Sequence, residues 1–186
     1  MANKIKYGLS KVYYAVATDD GTGTLTYGTP VALPGAVNLQ MDAQGDTTPF
    51  YADNIVYWTG TANNGYSGTL ELARIPDAFR TAVLGEVADT NGVTYEKSDT
   101  NTVEFALLFQ FEGDANAVRH AFYRCTATRA SVVGATSEAS ITPQTETLNL
   151  TAMARINDNL VKSRCDEATA ATQYAAWYTQ VYEPVQ

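Results

Sequence analysis

The sequence predicts a mainly β protein, an antiparallel β-sandwich or barrel with one short central helix and one short C-terminal helix. Three observations carry that reading. In residues 102–112, Val103, Phe105, Leu107, Phe109 and Phe111 recur every second residue, with Glu104, Ala106, Leu108, Gln110 and Glu112 between them. Successive strand side chains point to opposite faces, so this is a strand with one strongly apolar face and one mixed face. Comparable β segments recur along the chain, separated by clusters of Gly, Pro, Asn and Asp. Only two stretches show helical spacing, and both are short.

The elements follow in order. Residues 1–10 read as an N-terminal arm. Residues 11–18 are rich in Val and Tyr and form the first strand. Residues 19–24 are a turn, and 25–28 a short return. Pro30 and Pro34 confine the next pieces to edges and turns. Residues 37–43 alternate cleanly. Residues 44–49 are polar with Gly45 and Pro49: a loop, or the tip of an extended hairpin that continues through 50–52. A projecting loop over about 42–54 is therefore expected. Residues 53–59 begin another β stretch, 61–65 are a turn, and 66–73 alternate again.

Pro76 and Asp77 open the central helix, with Phe79, Ala82 and Val83 on one face and Gly85 as its stop. Two turns of helix are marginal alone, so this one must dock on a sheet. Thr90-Asn91-Gly92 turns between 87–88 and 93–95. After the strand at 102–112, residues 113–116 (Gly-Asp-Ala-Asn) supply turn chemistry, and 117–128 return. Residues 130–144 are small and polar, hence a loop. Residues 146–155 form a strand, and Asp158-Asn159 turn into 160–165. Asp166 is expected to cap a helix over 167–177 that presents Ala170, Tyr174 and Trp177 on one face. Residues 178–186 are a tail. The total is eight to eleven strands in a single domain, 1–186.

Composition narrows the function. A chain of 186 residues with 45% apolar residues can bury about 70% of its unfolded surface, so no metal or disulfide staple is required. The opening residues carry lysines but no apolar run like that of a signal peptide, and no run reaches the length of a membrane span. Cys125 and Cys165 have neither zinc nor redox spacing. The net charge is −8, a sign opposed to condensation on nucleic-acid phosphates. Its placement is uneven. No Lys or Arg lies between Lys11 and Arg74, where Asp19, Asp20, Asp42, Asp46, Asp53 and Glu71 stand. Basic residues gather in 4–11, 119–129 and 155–164.

No catalytic constellation emerges. His120 is the single histidine, and no Gly-x-Ser-x-Gly elbow accompanies it. A lone histidine in a strand is more often structural. Asp42, Asp46 and Asp53 could surround calcium, but they follow no EF-hand pattern, and solvated loop carboxylates are commoner. Gly21-Thr22-Gly23-Thr24 is not followed by the Lys of a phosphate-binding loop. Tyr51, Tyr57, Trp58 and Tyr66 could stack on sugars, although aromatics at this spacing more often serve a core or an interface. No enzyme activity, metal or cofactor is expected. A structural or binding role gains weight. A carbohydrate-binding sandwich is the main alternative, and a hydrolase would need a pocket around His120 or a close carboxylate pair.

The opening Ala2-Asn3-Lys4-Ile5-Lys6-Tyr7-Gly8-Leu9-Ser10-Lys11-Val12-Tyr13-Tyr14-Ala15 resembles the start of the major tail proteins, the tail tube proteins, of long-tailed, non-contractile-tail phages and prophages of Gram-positive bacteria. Ile75-Pro76-Asp77-Ala78-Phe79, the stretch from Phe105 to Gly113, and Tyr182-Glu183-Pro184 are similar too. The resemblance runs over essentially the whole chain and rests on the combination, since each piece alone is patterned β sequence. It implies a virion protein, made in the host bacterial cytoplasm. Hexameric rings of it stack into a hollow tail tube that delivers DNA without binding it specifically. It also implies a tape-measure protein and a tail terminator as partners, no membrane and no catalytic residues. Another tail or connector component of related fold is the near alternative.

The residue pattern suits that role. Sheet edges completed by neighbouring copies leave no exposed edge, and a closed sheet of 16–18 strands already holds an aqueous channel. Glu104, Gln110 and Glu112, on the mixed face, are the candidates to line a lumen that repels phosphate. Lys4, Lys6 and Lys11 are expected to meet Asp42, Asp46 and Asp53 between subunits or rings.

Overall fold

The computed structural model describes residues 3–136 and 142–185. Among them are thirteen strands. They are β1 (Lys6–Asp19), β2 (Leu25–Tyr27), β3 (Val31–Ala32), β4 (Ala36–Ala43), β5 (Thr47–Ala52), β6 (Ile55–Thr61), β7 (Tyr66–Leu72), β8 (Val87–Ala88), β9 (Thr94–Tyr95), β10 (Phe105–Gly113), β11 (Val118–Ala127), β12 (Glu146–Met153) and β13 (Lys162–Asp166). Helix α1 (Asp77–Phe79) runs into a π-helical turn over Arg80–Leu84, and α2 (Ala171–Ala176) lies near the C-terminus. The fold is thus mainly β and antiparallel, with a sandwich-like arrangement. The strands beyond the expected eight to eleven are two- and three-residue pairings, too short to leave a period in the sequence.

Nine strands form one antiparallel sheet in the order β2-β1-β10-β11-β12-β7-β4, with β3 added to β1 and β13 added to β11. The sheet bends round its main core. Phe105, Leu107 and Phe109 of β10 meet Val12 and Tyr14 of β1, Phe122 and Cys125 of β11, Leu148 and Leu150 of β12, and Leu70 and Leu72 of β7. Helix α1 plugs this core. Phe79 is fully buried and packs edge-to-face on Tyr14 and Phe105, at centroid distances of 4.9 and 5.5 Å. Gly85 closes the helix at φ +78°, as expected for a left-handed cap. Arg80 ties the helix down through Glu86 (3.2 Å) and Glu146 (2.7 Å).

The mixed face of β10 is not open. Ala106 and Leu108 join Ala15, Ala121, Tyr123 and Cys165 in a second core, covered by Trp177 and Val181 from the C-terminal segment. The strand starts at Phe105 rather than residue 102, and Val103 is left partly exposed at its end. Burial on both faces explains why β10 reads so apolar: it is a central strand between β1 and β11.

Other boundaries move for local reasons. Residues 6–10, expected in the arm, belong to β1 and pair with β10 through two register shifts, with Gly8 and Lys11 at positive φ. Helix α2 is shorter than 167–177. The Asp166 carboxylate takes the Ala168 amide and its carbonyl takes those of Thr169 and Ala170, so a separate turn precedes the helix and Ala170 stands at its cap. Strand β12 ends at Met153, and β13 begins at Lys162. In the 130–144 loop, residues 137–141 lie outside the described residues, as do Met1 and Ala2 of the arm and Gln186 of the tail.

Replacing Phe105 by Ala should cost about 3–5 kcal/mol in chemical denaturation, because it opens a cavity under Phe79. Val103→Ala, at the partly exposed strand end, should stay within about 1 kcal/mol.

Candidate assembly surface

The segment expected to project is one long hairpin. Strands β4 and β7 pair from Ala36↔Leu72 to Ala43↔Tyr66, and the ladder resumes in β5 and β6 from Thr47↔Thr61 to Ala52↔Ile55. Between them the Gln44 amide bonds Gly65 O and the Ala62 amide bonds Asp46 O, so the two halves are continuous. The chain turns at Asp53-Asn54, with φ +51° and +61°. Two residues at positive φ joining paired neighbours make a type I′ turn, whose twist matches the strands. Asp53 therefore ends the hairpin rather than beginning the strand expected over 53–59.

The outer half of this hairpin stands free of the rest of the chain. Phe50 pairs with Trp58, Tyr51 with Val56 and Ala52 with Ile55. Adjacent residues point to opposite sides, so both faces are apolar. Exposure is high throughout, from 50% at Val56 to 70% at Tyr57. An isolated two-stranded ribbon is marginally stable in water, and contiguous exposed apolar surface marks a contact site. Of the four aromatics considered for sugar stacking, Tyr51, Tyr57 and Trp58 lie on this ribbon. Tyr66 is half-buried against Phe122, at 5.1 Å.

The acidic candidates are strung along the same element. Asp42 is the penultimate residue of β4 and accepts a hydrogen bond from Gln40 Nε2 (3.0 Å), Asp46 precedes β5, and Asp53 is at the tip. The six residues of β5, at about 3.3 Å each, put roughly 20 Å between the latter two. They cannot share one cation. Among the described residues no group of three or more His, Cys, Asp or Glu side chains is placed to hold a metal ion.

The basic candidates lie just before β1 (Lys4) and in its first half (Lys6, Lys11). Asn3 anchors the arm: its side chain donates to Asn116 O and accepts the Ala115 and Asn116 amides. Gly113 makes room for it, since a Cβ there would meet Asn3 Nδ2 at 2.4 Å. The Lys4 amide donates to Asp114 Oδ1. Lys6 places its Nζ over the Phe111 ring, 4.4 Å from the centroid. Lys11 occupies the β1 bulge. Among the described residues, none of these lysines pairs with Asp42, Asp46 or Asp53 of its own chain.

Of the three candidate lumen residues, Glu104 lies just before β10, and Gln110 and Glu112 lie in its second half. Glu104 is held by Arg124 at 2.7 Å. Gln110, on the face now seen to be a second core, is 4% exposed; it donates to Ser10 and Glu112, and Tyr178 donates to its Oε1. Hydrogen bonds from Ser10 and Gln110 hold the Glu112 carboxyl below the usual carboxylate range.

His120 stacks on Phe109 at 5.3 Å and 8°. It lines a pocket of about 250 Å³ with Lys6, Leu39, Met41, Tyr66, Phe111 and Lys162. Arg164 is its direct partner across β13 and shares its face. Burial, then Arg164, Lys6 and Lys162, push its pKa down to about 4, so it is neutral at pH 7. No carboxylate stands beside it to orient it as a base. Lys162 and Arg164 were not singled out in the sequence, because only the β11–β13 register places them there. The cysteines occupy opposite sides of the sheet, Cys125 in the main core with its thiol pushed up to about 12 by burial, Cys165 in the second.

A depressed histidine pKa means the unfolded chain binds the proton first. Stability should therefore be full above about pH 6.5 and fall as the pH drops toward about 4. In denaturant titrations, His120→Gln should flatten the loss between pH 7 and pH 5.

A family model described as phage tail tube protein matches residues 37–182, most of the chain, and the protein belongs to that family. None of the curated proteins matches it.

Proposed function

We propose that this chain is the building unit of a phage tail tube. Copies close into hexameric rings, the rings stack, and DNA is delivered through the lumen. Family membership supplies the tail tube role and hence a place in the virion tail. The observation that carries self-assembly is the free-standing ribbon of β5 and β6, apolar on both faces and left exposed by the described residues of its own chain. A neighbouring copy gives it a partner. Ring closure would likewise pair outer edges such as those of β2 and β4, which end the strand order in the single chain.

The charge pattern supports the same reading. Lys4, Lys6 and Lys11 in and before β1, and Asp42, Asp46 and Asp53 along the hairpin, have opposite signs and form no ion pair with one another among the described residues. We place their meeting between subunits or rings. Glu104, just before β10, and Glu112, near its end, keep negative charge on half-buried side chains and are the proposed lumen group, a wall that repels phosphate and lets the duplex slide; Gln110, buried beneath Tyr178, supports Glu112 rather than lining that wall. The chain would be made in the host cytoplasm and assembled around a tape-measure protein, with a terminator capping the tube.

Light-scattering mass and negative-stain microscopy over a concentration series test this. Rings or tubes are the expected outcome, and a chain that stays a solitary monomer at every concentration refutes it. Trp58 is 61% exposed and Trp177 is 2% exposed. Assembly should therefore shift Trp58 emission to shorter wavelength while Trp177 stays constant. The triple variant Asp42→Lys, Asp46→Lys, Asp53→Lys should remain a soluble folded monomer that forms no tubes; normal tubes would remove the charge pairing.

A further inference from the structure

The pocket beside His120 has a composition the fold does not require. Its walls are Phe109, Phe111, Phe122 and Tyr66, and two lysines stand over them: Lys6 Nζ lies 4.4 Å above Phe111, and Lys162 Nζ lies 4.4 Å above Tyr66. Arg164 faces the same side through its pairing with His120. Among the described residues, none of Lys6, Lys162 and Arg164 makes an ion pair, although other arginines of the chain are paired with carboxylates. Lys6 and Lys162 on the pocket wall, with Arg164 on the same face of β13, have no ion-pair partner among the described residues and repel one another. Such a site is completed by an anion carried on an apolar body.

The pocket is too small for most ligands. Sites that hold cofactor-sized molecules run to about 300–1,000 Å³, against about 250 Å³ here. A turn fits better. The chain itself carries a matching object: the Asp53-Asn54 turn, narrow because both residues lie at positive φ, closed by the Ala52–Ile55 pair with Tyr51 and Val56 behind it. It cannot reach the pocket of its own molecule. Met41 and Tyr66, on the pocket wall, sit at the base of the hairpin, and β5 leads about 20 Å away from them.

We propose that this pocket is the socket for the hairpin tip of a second copy, with the Asp53 carboxylate entering among Lys6, Lys162 and Arg164 and the flanking apolar residues lying against the aromatic walls. The proposal rests on the self-assembly reading above and narrows it from a charge pattern to one contact. Of the six charged candidates it selects Lys6 and Asp53, and it adds Lys162 and Arg164.

Charge exchange tests it. The variant Lys6→Glu, Lys162→Glu should fold, with an unchanged circular dichroism spectrum, and lose rings and tubes; Asp53→Lys should do the same. The combined triple variant should recover assembly, because the signs are exchanged together. Tubes from the pocket-reversed chain, or no recovery in the triple variant, overturn the socket. Should the reversed pocket fail to fold, a cysteine pair decides. Asn54→Cys with Leu39→Cys, oxidised after assembly, should give a ladder of disulfide-linked copies on a non-reducing gel, absent in either single variant. Assemblies that form without that ladder overturn the socket and leave the tube reading standing. A parent chain that never assembles overturns both.

Discussion

The whole structure depends on β10 being buried on both faces. A strand in water can leave one face wet; this one cannot, because Phe105, Leu107 and Phe109 fill one core while Ala106 and Leu108 fill another. The first core requires the sheet to bend until β12 and β7 come round to it. The second requires a cover, and the C-terminal segment supplies it through Trp177 and Val181. Two buried arginines hold that cover. Arg119 stacks under Tyr174 at 3.6 Å and bonds its carbonyl, and Arg155 joins Asp158 to Glu183 while stacking on Tyr123. Buried guanidinium groups are tolerable only when so engaged, since an unpaired one is costly.

That rigid body sets off the one element that breaks its logic. The other long strands place most of their large apolar residues against a core, with Tyr7 of β1 and Val37 of β4 as exceptions. Strands β5 and β6 place theirs in solvent, on a ribbon one pairing wide. A fold whose other exposed apolar residues are scattered, and which gathers six large ones on a single hairpin, locates its contact surface by contrast. The type I′ turn at Asp53-Asn54 keeps that ribbon tight to its end.

Much of this was legible from residue order. Alternation over 103–111 marked the central strand, Pro76 and Gly85 bracketed α1, and Thr90-Asn91-Gly92 marked the β8–β9 turn, where the Asp89 carboxylate takes the Asn91 and Val93 amides. What was not legible has physical causes. The alternation of β10 showed two faces but not that both were covered, because Ala106 and Leu108 are as compatible with a modestly exposed face as with a core. The cover came from Trp177 and Val181, nearly seventy positions away. The pocket cations were invisible for the same reason: Lys162 and Arg164 meet His120 only through strand register. The ribbon was half seen. Gly45 and Pro49 suggested a loop, whereas the turn is at Asp53-Asn54, a pair that adopts the left-handed conformation less readily than Asn-Gly.

The two thiols have a consequence for the particle. One sits on each side of the sheet, so a full layer of backbone separates them, and Cys125 is sealed from solvent. No rearrangement short of unfolding brings them together. A tail released into air-saturated surroundings would neither gain a covalent brace nor suffer a scrambled one. Its durability has to come from non-covalent contacts, packing and ion pairs together, and ageing by oxidation would have to begin elsewhere than at its buried sulfhydryls.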